Sequence, residues 1–396
     1  MARMGCLRYP LEDPTKIVGI EIVQAPRKIS ISQKRSIENI LEQQGLTNAN
    51  PVRMPFNPNV KILPNPDRNE GNWSNSFTEL LGELQYIAFA VNRLASYTAN
   101  PSMQHVTVLK RILHYLSGTR EHGITYKYSS VFLTFKGFAD AVYKDREDGK
   151  STTGYVFLQA NGAIIWHSGK QDVTTQSSTE AEYIALWESG KEASWLWNLH
   201  RELGFSQQSP TSLICDNTGV VAITKNPTFH KQTKHIDSHY HWIREKIQAG
   251  RFDAKICCTA NQTADVLTKA PPHAKDECHT TEIGVAPVWR GVLGGISRIS
   301  KHICTQSYST VYIKYMHAWA WIYLSLTQPP PVPSENLSIR RTLSSIVGSC
   351  IGGMGDSRRD SGWAGGNWGT GCFWYMKKYL SKSTHSKMST CLIRGL

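Results

Sequence analysis

From about residue 124 to 270, β-rich and helical stretches follow one another in an order that constrains the fold more than any other feature of the chain. ITYKYSSVFLTFKGFADA contains two β-rich runs meeting at Ser129-Ser130. STTGYVFLQANGAIIWHS reads as a hairpin, with Asn161-Gly162 as the two φ > 0 residues that a tight type I′ turn requires. SSTEAEYIALWESGKEASWLWNLHREL follows as a long helix. Ser177 and Glu180 give it a capping-box start, and Ile184, Trp187, Trp195 and Leu199 a buried stripe. Next come a buried strand TSLICDN, a short helix NTGVVAIT, a helix HIDSHYHWIREKIQAG, a strand FDAKICC and a short helix TADVLTKA. Three antiparallel-type strands, then helix, strand, helix, strand, helix, predict a mixed α/β layer architecture.

Upstream the pattern is mainly helical. IVGIEIVQAP (17–26) reads as a short strand ending before Pro26, and ISQKRSIENILEQQGL as a helix with Ile37, Ile40 and Leu41 on one face and Gly45 as its stop. A polar loop at 57–76 leads to two amphipathic helices at 78–97 and 101–117, the second carrying Val106, Leu109, Leu113 and Leu116. Downstream the composition breaks near residue 286. Residues 286–396 hold 13 Lys and Arg against three acids (Glu335, Asp356, Asp360) and six of the 12 tryptophans. Of the net charge of +13, that tail carries +10, so the section with the ordered strand and helix pattern is close to neutral. Near-neutrality there argues against strong nonspecific affinity for a polyanion.

Four carboxylates stand at junctions of the α/β section. Asp140 lies at the end of the first strand, Glu182 in the first turn of the long helix, Asp216 at the end of a buried strand, and Asp265 at the start of the last helix. Acids at strand ends are where a mixed α/β sheet places a ligand site. An apolar strand ending in Asp216 is costly unless the charge is solvated or held by a cation. Hard oxygen donors gathered together suit Mg2+ or Mn2+, and two such ions about 3.5–4 Å apart serve phosphodiester cleavage. For any one acid, a solvated loop or a helix N-terminus is the plainer explanation.

The stretch GFADAVYKDREDGKSTTGYVFLQANGAIIWHSGKQDVTTQSSTEAEYIAL closely resembles the ribonuclease H domain of copia-type LTR retrotransposon polyproteins. The likeness runs on through CDNTGVVAITKNPTFHKQTKHIDSHYHWIREKIQAG to TADVLTKA, and covers residues 131–270. GIEI, ISQ, NILEQQGL, LLGELQYIA and HVTVLKRILHYLSGT resemble the end of the same family's reverse transcriptase. The resemblance implies three parts: a thumb- or connection-like remnant without a palm (1–125), a ribonuclease H-like domain (126–285) and an unassigned, disordered tail (286–396). The implied fold is α/β, a mixed five-stranded sheet with flanking helices. The implied metal ligands are Asp140, Glu182, Asp216 and Asp265, with Glu180 left to capping. They would hold two Mg2+ ions, Mn2+ being an alternative, for endonucleolytic hydrolysis of the RNA strand of an RNA–DNA hybrid. A complete reverse transcriptase or another polyprotein product is the protein partner implied.

The chain departs from the family where a second acid usually follows the first: Val142 stands there. Residues 1–125 contain no Asp-Asp pair, so no polymerase activity is expected. CCTANQTAD lacks the histidine that cellular ribonucleases H carry before the last Asp. These departures leave an alternative, a catalytically inactive relic that at most binds nucleic acid. Lys150, Lys170, Lys231, Lys234 and Lys269 could line a phosphate track, with solvated surface as the default for each. Trp166, Trp187 and Trp195 suit core positions.

A zinc site from His235, His239, Cys257 and Cys258 is disfavoured, because adjacent cysteines on a strand point to opposite faces. No CxxC pair occurs among the nine cysteines, which argues against a zinc ribbon or a disulfide framework. The start MARMGCLRYPLEDP lacks an apolar stretch, so no secretory signal is expected, and the setting is intracellular, cytoplasmic or nuclear. VYIKYMHAWAWIYLSL is too short and too interrupted for a membrane span.

Overall fold

The computed structural model describes residues 16–17, 20–66, 87–128, 134–203, 205–225 and 237–288. The upstream section forms β1 (Lys16–Ile17), β2 (Ile20–Ala25), β3 (Lys28–Ser32), α1 (Lys34–Gln43), α2 (Ala88–Ala95) and α3 (Met103–Thr119). β2 and β3 pair as a hairpin whose turn puts Arg27 at φ 60°, so the chain reverses just after Pro26 and the helix begins three residues later than its sequence pattern suggests. Alternation decides this: Ile20, Ile22, Ile29 and Ile31 are buried at period two, the strand spacing. α1 buries Ile37, Ile40 and Leu41 as expected, and Gly45 takes φ 65° just beyond its end. These residues share a core with Leu94 of α2 and with Leu109, Ile112, Leu113 and Leu116 of α3.

β4 (His122–Lys127) pairs antiparallel with β3. The mixed sheet follows: β5 (Phe135–Val142), β6 (Thr152–Gln159), β7 (Gly162–Lys170), α4 (Ser178–Glu202), β8 (Thr211–Cys215), α5 (Thr218–Lys225), α6 (Asp237–Gln248) and β9 (Phe252–Ile256). Its strand order is β7-β6-β5-β8-β9. The first three strands are antiparallel, while β8 runs parallel to β5 and β9 parallel to β8. This is the five-stranded mixed sheet with flanking helices that the resemblance implied. Two 3-10 turns (Thr259–Asn261 and Thr263–Leu267), α7 (His273–Glu282) and β10 (Val285–Pro287) complete the described chain.

TADVL is thus a 3-10 turn, shorter than the expected helix, with Pro271-Pro272 soon after it to prevent extension. α7 and β10 carried no clear periodic signal. β10 pairs with β4, giving a second sheet of order β1-β2-β3-β4-β10. One hydrophobic cluster joins Ile22, Ile29, Ile124 and Tyr126 of that sheet to Phe138, Val156, Phe157 and Ile165 of the mixed sheet and to Tyr183, Leu186 and Leu196 of α4. Fully burying each such side chain contributes about 1.5–3 kcal/mol.

The β6–β7 turn lies one residue earlier than Asn161-Gly162. Ala160 and Asn161 have φ 51° and 63°, and Gly162 already pairs with Gln159 as the first residue of β7. Gly162 is needed for another reason. A Cβ there would lie 2.7 Å from the ring of Tyr126, and the Tyr126 hydroxyl donates to the Ala163 carbonyl at 2.6 Å. The glycine lets the hairpin lie against β4.

No described helix is long and apolar enough to cross a membrane. The tail beyond residue 288, His230, Lys231, Lys234 and His235 lie outside the described residues, as does the side chain of His239.

Candidate active site

β5 ends in Gly-Phe-Ala-Asp-Ala-Val and is buried on both faces from Gly137 to Asp140, so Asp140, near the strand's end, is only 3% exposed. Its partner across the ladder is Gly154 of β6. A Cβ on Gly154 would come within 2.6 Å of Thr268 and 2.8 Å of Leu267. Glycine is therefore what allows the Thr263–Leu267 turn to close over the strand beside Asp140. Gln262 fastens the turn in place: its buried amide donates to the Ala139 carbonyl at 2.9 Å. The Thr268 hydroxyl, one residue past the turn, donates to Asp140.

Asp265 sits in that turn and is fully buried. Two ammonium groups reach it. Lys269 Nζ lies 2.8 Å from Oδ1 and also 3.7 Å from Asp140 Oδ2, while Lys275 Nζ of α7 contacts Oδ2 and the Thr259 carbonyl. Lys269 thereby spans Asp140 and Asp265, whose facing oxygens are no farther apart than these two contacts laid end to end.

Glu182 is the fifth residue of α4, one turn later than the sequence reading placed it, and the acid of the first turn is Glu180. Ser177 caps that helix by accepting from the Glu180 amide at 3.1 Å, and the Glu180 carboxylate accepts from the Gln176 amide at 2.8 Å. Glu180 is thus used in capping, and Glu182 is free to face β8. There Asn217 Nδ2 donates to Glu182 Oε1 at 3.1 Å. Glu182 Oε2 is buried and has no hydrogen-bond partner among the described residues. Asp216, half-buried, directly follows β8, and Asn217 after it caps α5 by accepting from the Gly219 and Val220 amides.

The charges of this group act on one another. Burial pushes the Asp140 carboxyl up to about 6, opposed by the Lys269 ammonium and the Thr268 hydrogen bond and aided by repulsion from Asp265 and Asp216. Burial lifts Glu182 to about 7, with the Asn217 bond opposing and Asp216 and Asp140 adding to the rise. Burial works against the charge on Lys269, yet Asp140 and Asp265 outweigh it and hold the ammonium above its ordinary value. So α4, the end of β8 and the 3-10 turn bring Glu182, Asp216 and Asp265 each into electrostatic reach of Asp140 on β5. Their oxygens are hard donors of the kind that suit Mg2+ or Mn2+. Among the described residues, however, no three His, Cys, Asp or Glu side chains stand as a ready metal-binding group. At Asp140 and Asp265 a lysine fills the role of cation instead.

Asn217, Gln262, Thr268 and Lys275 were not singled out in the sequence. Asn217 had a legible signal, an Asx residue opening a helix directly after a candidate ligand. Lys269 turns inward to the acids, whereas Lys150 and Lys170 have surface partners, the Asp172 carbonyl at 2.8 Å and Asp148 at 2.9 Å. Val142, in the usual place of a second acid, is half-buried. Cys257 is half-buried and Cys258 exposed. Trp166 and Trp195 pack against the core, as expected, and Trp187 carries the Lys191 ammonium over its ring at 3.7 Å.

No family model matches the chain. It is similar to the retrovirus-related Pol polyprotein from transposon RE1 of Arabidopsis thaliana, 34% identical over 299 residues, which is 71% of this chain and 20% of that one. It is also similar to the corresponding polyprotein from transposon TNT 1-94 of Nicotiana tabacum, 35% identical over 286 residues, 68% of this chain and 21% of that one. The chain thus spans about a fifth of the length of these curated relatives. Among solved structures, the N-terminal RNase H domain of rv2228c from Mycobacterium tuberculosis, fused to maltose-binding protein, matches at 17% identity over 37% of this chain and 96% of that one. Its TM-score of 0.25 is too low to carry weight, and the fold rests on strand order and register.

Proposed function

The chain belongs to the retrovirus-related Pol polyproteins of copia-type retrotransposons, and from that premise we propose that its α/β section hydrolyses the RNA strand of RNA–DNA hybrids endonucleolytically. The supporting observation is that Glu182, Asp216 and Asp265, from three other parts of the fold, each lie within electrostatic reach of Asp140 on β5. The donor set fits a divalent cation: four hard oxygen donors, a buried Glu182 Oε2 without a partner among the described residues, and two carboxyls raised by burial that a cation would return to the charged form. Asp140, Glu182, Asp216 and Asp265 are the residues that would hold Mg2+, or Mn2+. Bound there, the metal supplies an activated water and charge neutralisation at the phosphodiester.

The chain's own groups prepare the site. Asn217 orients Glu182 toward Asp216, Thr268 orients Asp140, and Gln262 and Gly154 hold the turn that carries Asp265. The strand ends leave the phosphodiester backbone as the recognised feature, with the 2′-hydroxyls and A-like shape of the hybrid marking the RNA strand. The full chain with Mg2+ should cut a labelled hybrid, and Asp216→Asn should abolish cutting. Equal cleavage by Asp216→Asn removes the proposal.

A second reading, an inactive relic that retains hybrid binding, is favoured by one observation: Lys269 and Lys275 both engage Asp265 as cations. Salt-dependent hybrid binding without cleavage in Mg2+ or Mn2+ is its expected outcome.

A further inference from the structure

Asp140 and Asp265 are both nearly devoid of solvent contact, and they belong to elements 125 residues apart in the chain. Two such carboxylates facing one another repel, and burial makes each costlier. What lies between them is the Lys269 ammonium, 2.8 Å from Asp265 and 3.7 Å from Asp140, on a side chain still 42% exposed. Its position is set locally. Lys269 is four residues after Asp265, and its backbone amide donates to the Asp265 carbonyl at 3.0 Å. The neighbouring Thr268 binds Asp140, so the segment presents one hydroxyl and one ammonium to the pair. Lys275 approaches Asp265 from α7 and contacts its other oxygen, so among the described residues Lys269 is the cation that reaches both acids.

We propose that Lys269 is the built-in counter-cation of the Asp140–Asp265 pair: it holds the two acids together in the ion-free protein and competes with a divalent ion for them. The proposal rests on the metal-site reading above and makes Lys269 a positioning residue, one that acts through the carboxylates. Its partial exposure matters, because an ammonium with a path to solvent can withdraw when a stronger cation arrives. Removing the positive charge raises the pair's affinity for a cation and lowers the stability of the ion-free fold. Arginine at the same position keeps the charge and both properties.

The test uses the full chain at pH 8, comparing wild type, Lys269→Met, Lys269→Arg and Asp216→Asn. Mn2+ binding is followed by the loss of the free-ion electron paramagnetic resonance signal, and thermal melting is recorded in chelator. Lys269→Met should bind Mn2+ roughly tenfold tighter, the scale on which one charge 4–6 Å away shifts a carboxylate equilibrium. It should also melt at a lower temperature in chelator, with Lys269→Arg near wild type in both readings. If Lys269→Met binds Mn2+ no more tightly while Asp216→Asn still weakens binding, the counter-cation role is overturned and the site reading stands. An unchanged melting temperature of Lys269→Met in chelator likewise overturns that role. If no variant binds Mn2+, the site reading fails and the competition fails with it.

Discussion

Asn217 donates its side-chain Nδ2 to Glu182 Oε1 at 3.1 Å while its side-chain Oδ1 accepts from the Gly219 and Val220 amides and caps α5. One residue thereby couples the end of β8, the start of α5 and an acid on α4. Asn217→Ala should lose the cap, about 1 kcal/mol, and free Glu182 from its orientation. Denaturant unfolding should register the first effect and hybrid cleavage the second. Asn217→Asp retains the capping oxygen but places another negative charge beside Glu182, so it should keep stability better than activity. Equal loss of both in the two variants would contradict the coupling.

The β6–β7 hairpin offers a pair of opposite substitutions. Ala160 holds φ 51°, a conformation that costs a non-glycine residue roughly 1–2 kcal/mol, so Ala160→Gly should raise the melting temperature. Gly162→Ala drives a Cβ into the Tyr126 ring and should cost about 1–3 kcal/mol, as overpacking does. Melting curves of the two single variants decide the matter: the reverse order would place the turn back at Asn161-Gly162.

Stability of the ion-free protein should fall as pH rises. Unfolded, the carboxyls of Asp140 and Glu182 titrate near their ordinary values of 3.8 and 4.5, while folded they titrate at about 6 and 7. Between about pH 4 and 7 the folded protein therefore binds more protons, and raising the pH through that window favours unfolding. Melting in chelator should show this decline, and the Asp140→Asn, Glu182→Gln double variant should flatten it. Every 1 kcal/mol corresponds to about 2–4 °C at this size. A slope unaltered in the double variant would assign the pH dependence elsewhere.

Arg146, nearly buried, donates to Thr152 at 2.9 Å and reaches α2 and its end through Asn92 at 2.9 Å and Ser96 at 3.1 Å. Arg93 of α2 answers with an ion pair to Asp145 at 3.0 Å. Arg146→Ala strands these acceptors and should cost about 3 kcal/mol, the scale of a broken buried charge contact. Arg93→Ala removes the ion pair and a bond to the Asp145 carbonyl at 2.8 Å, both to one residue, and should cost less. Chemical denaturation of the two variants gives the comparison.

Much of the fold was legible because its signals are local. The Ser177–Glu180 cap, the stripe of α3 and the order of elements from β5 to β9 all depend on residues near one another in the chain. The turn at Ala160-Asn161 was misplaced because Gly162 carries a turn signal while answering to Tyr126, 36 positions away. α7 and β10 were missed because neither has a strong period: α7 buries only His279, and β10 is three residues long.

The four candidate acids, Asp140, Glu182, Asp216 and Asp265, could be named in the sequence from strand ends, a helix start and a family pattern. Their condition was decided only by the tertiary structure. Which acid is deeply buried and which lies beside Lys269 follow from the closure of the 3-10 turn over β5 through Gly154 and Gln262. The physical reason is that burial and charge act through space. Desolvation and Coulomb interactions depend on distances between elements far apart in the chain, and no local pattern of residues records them.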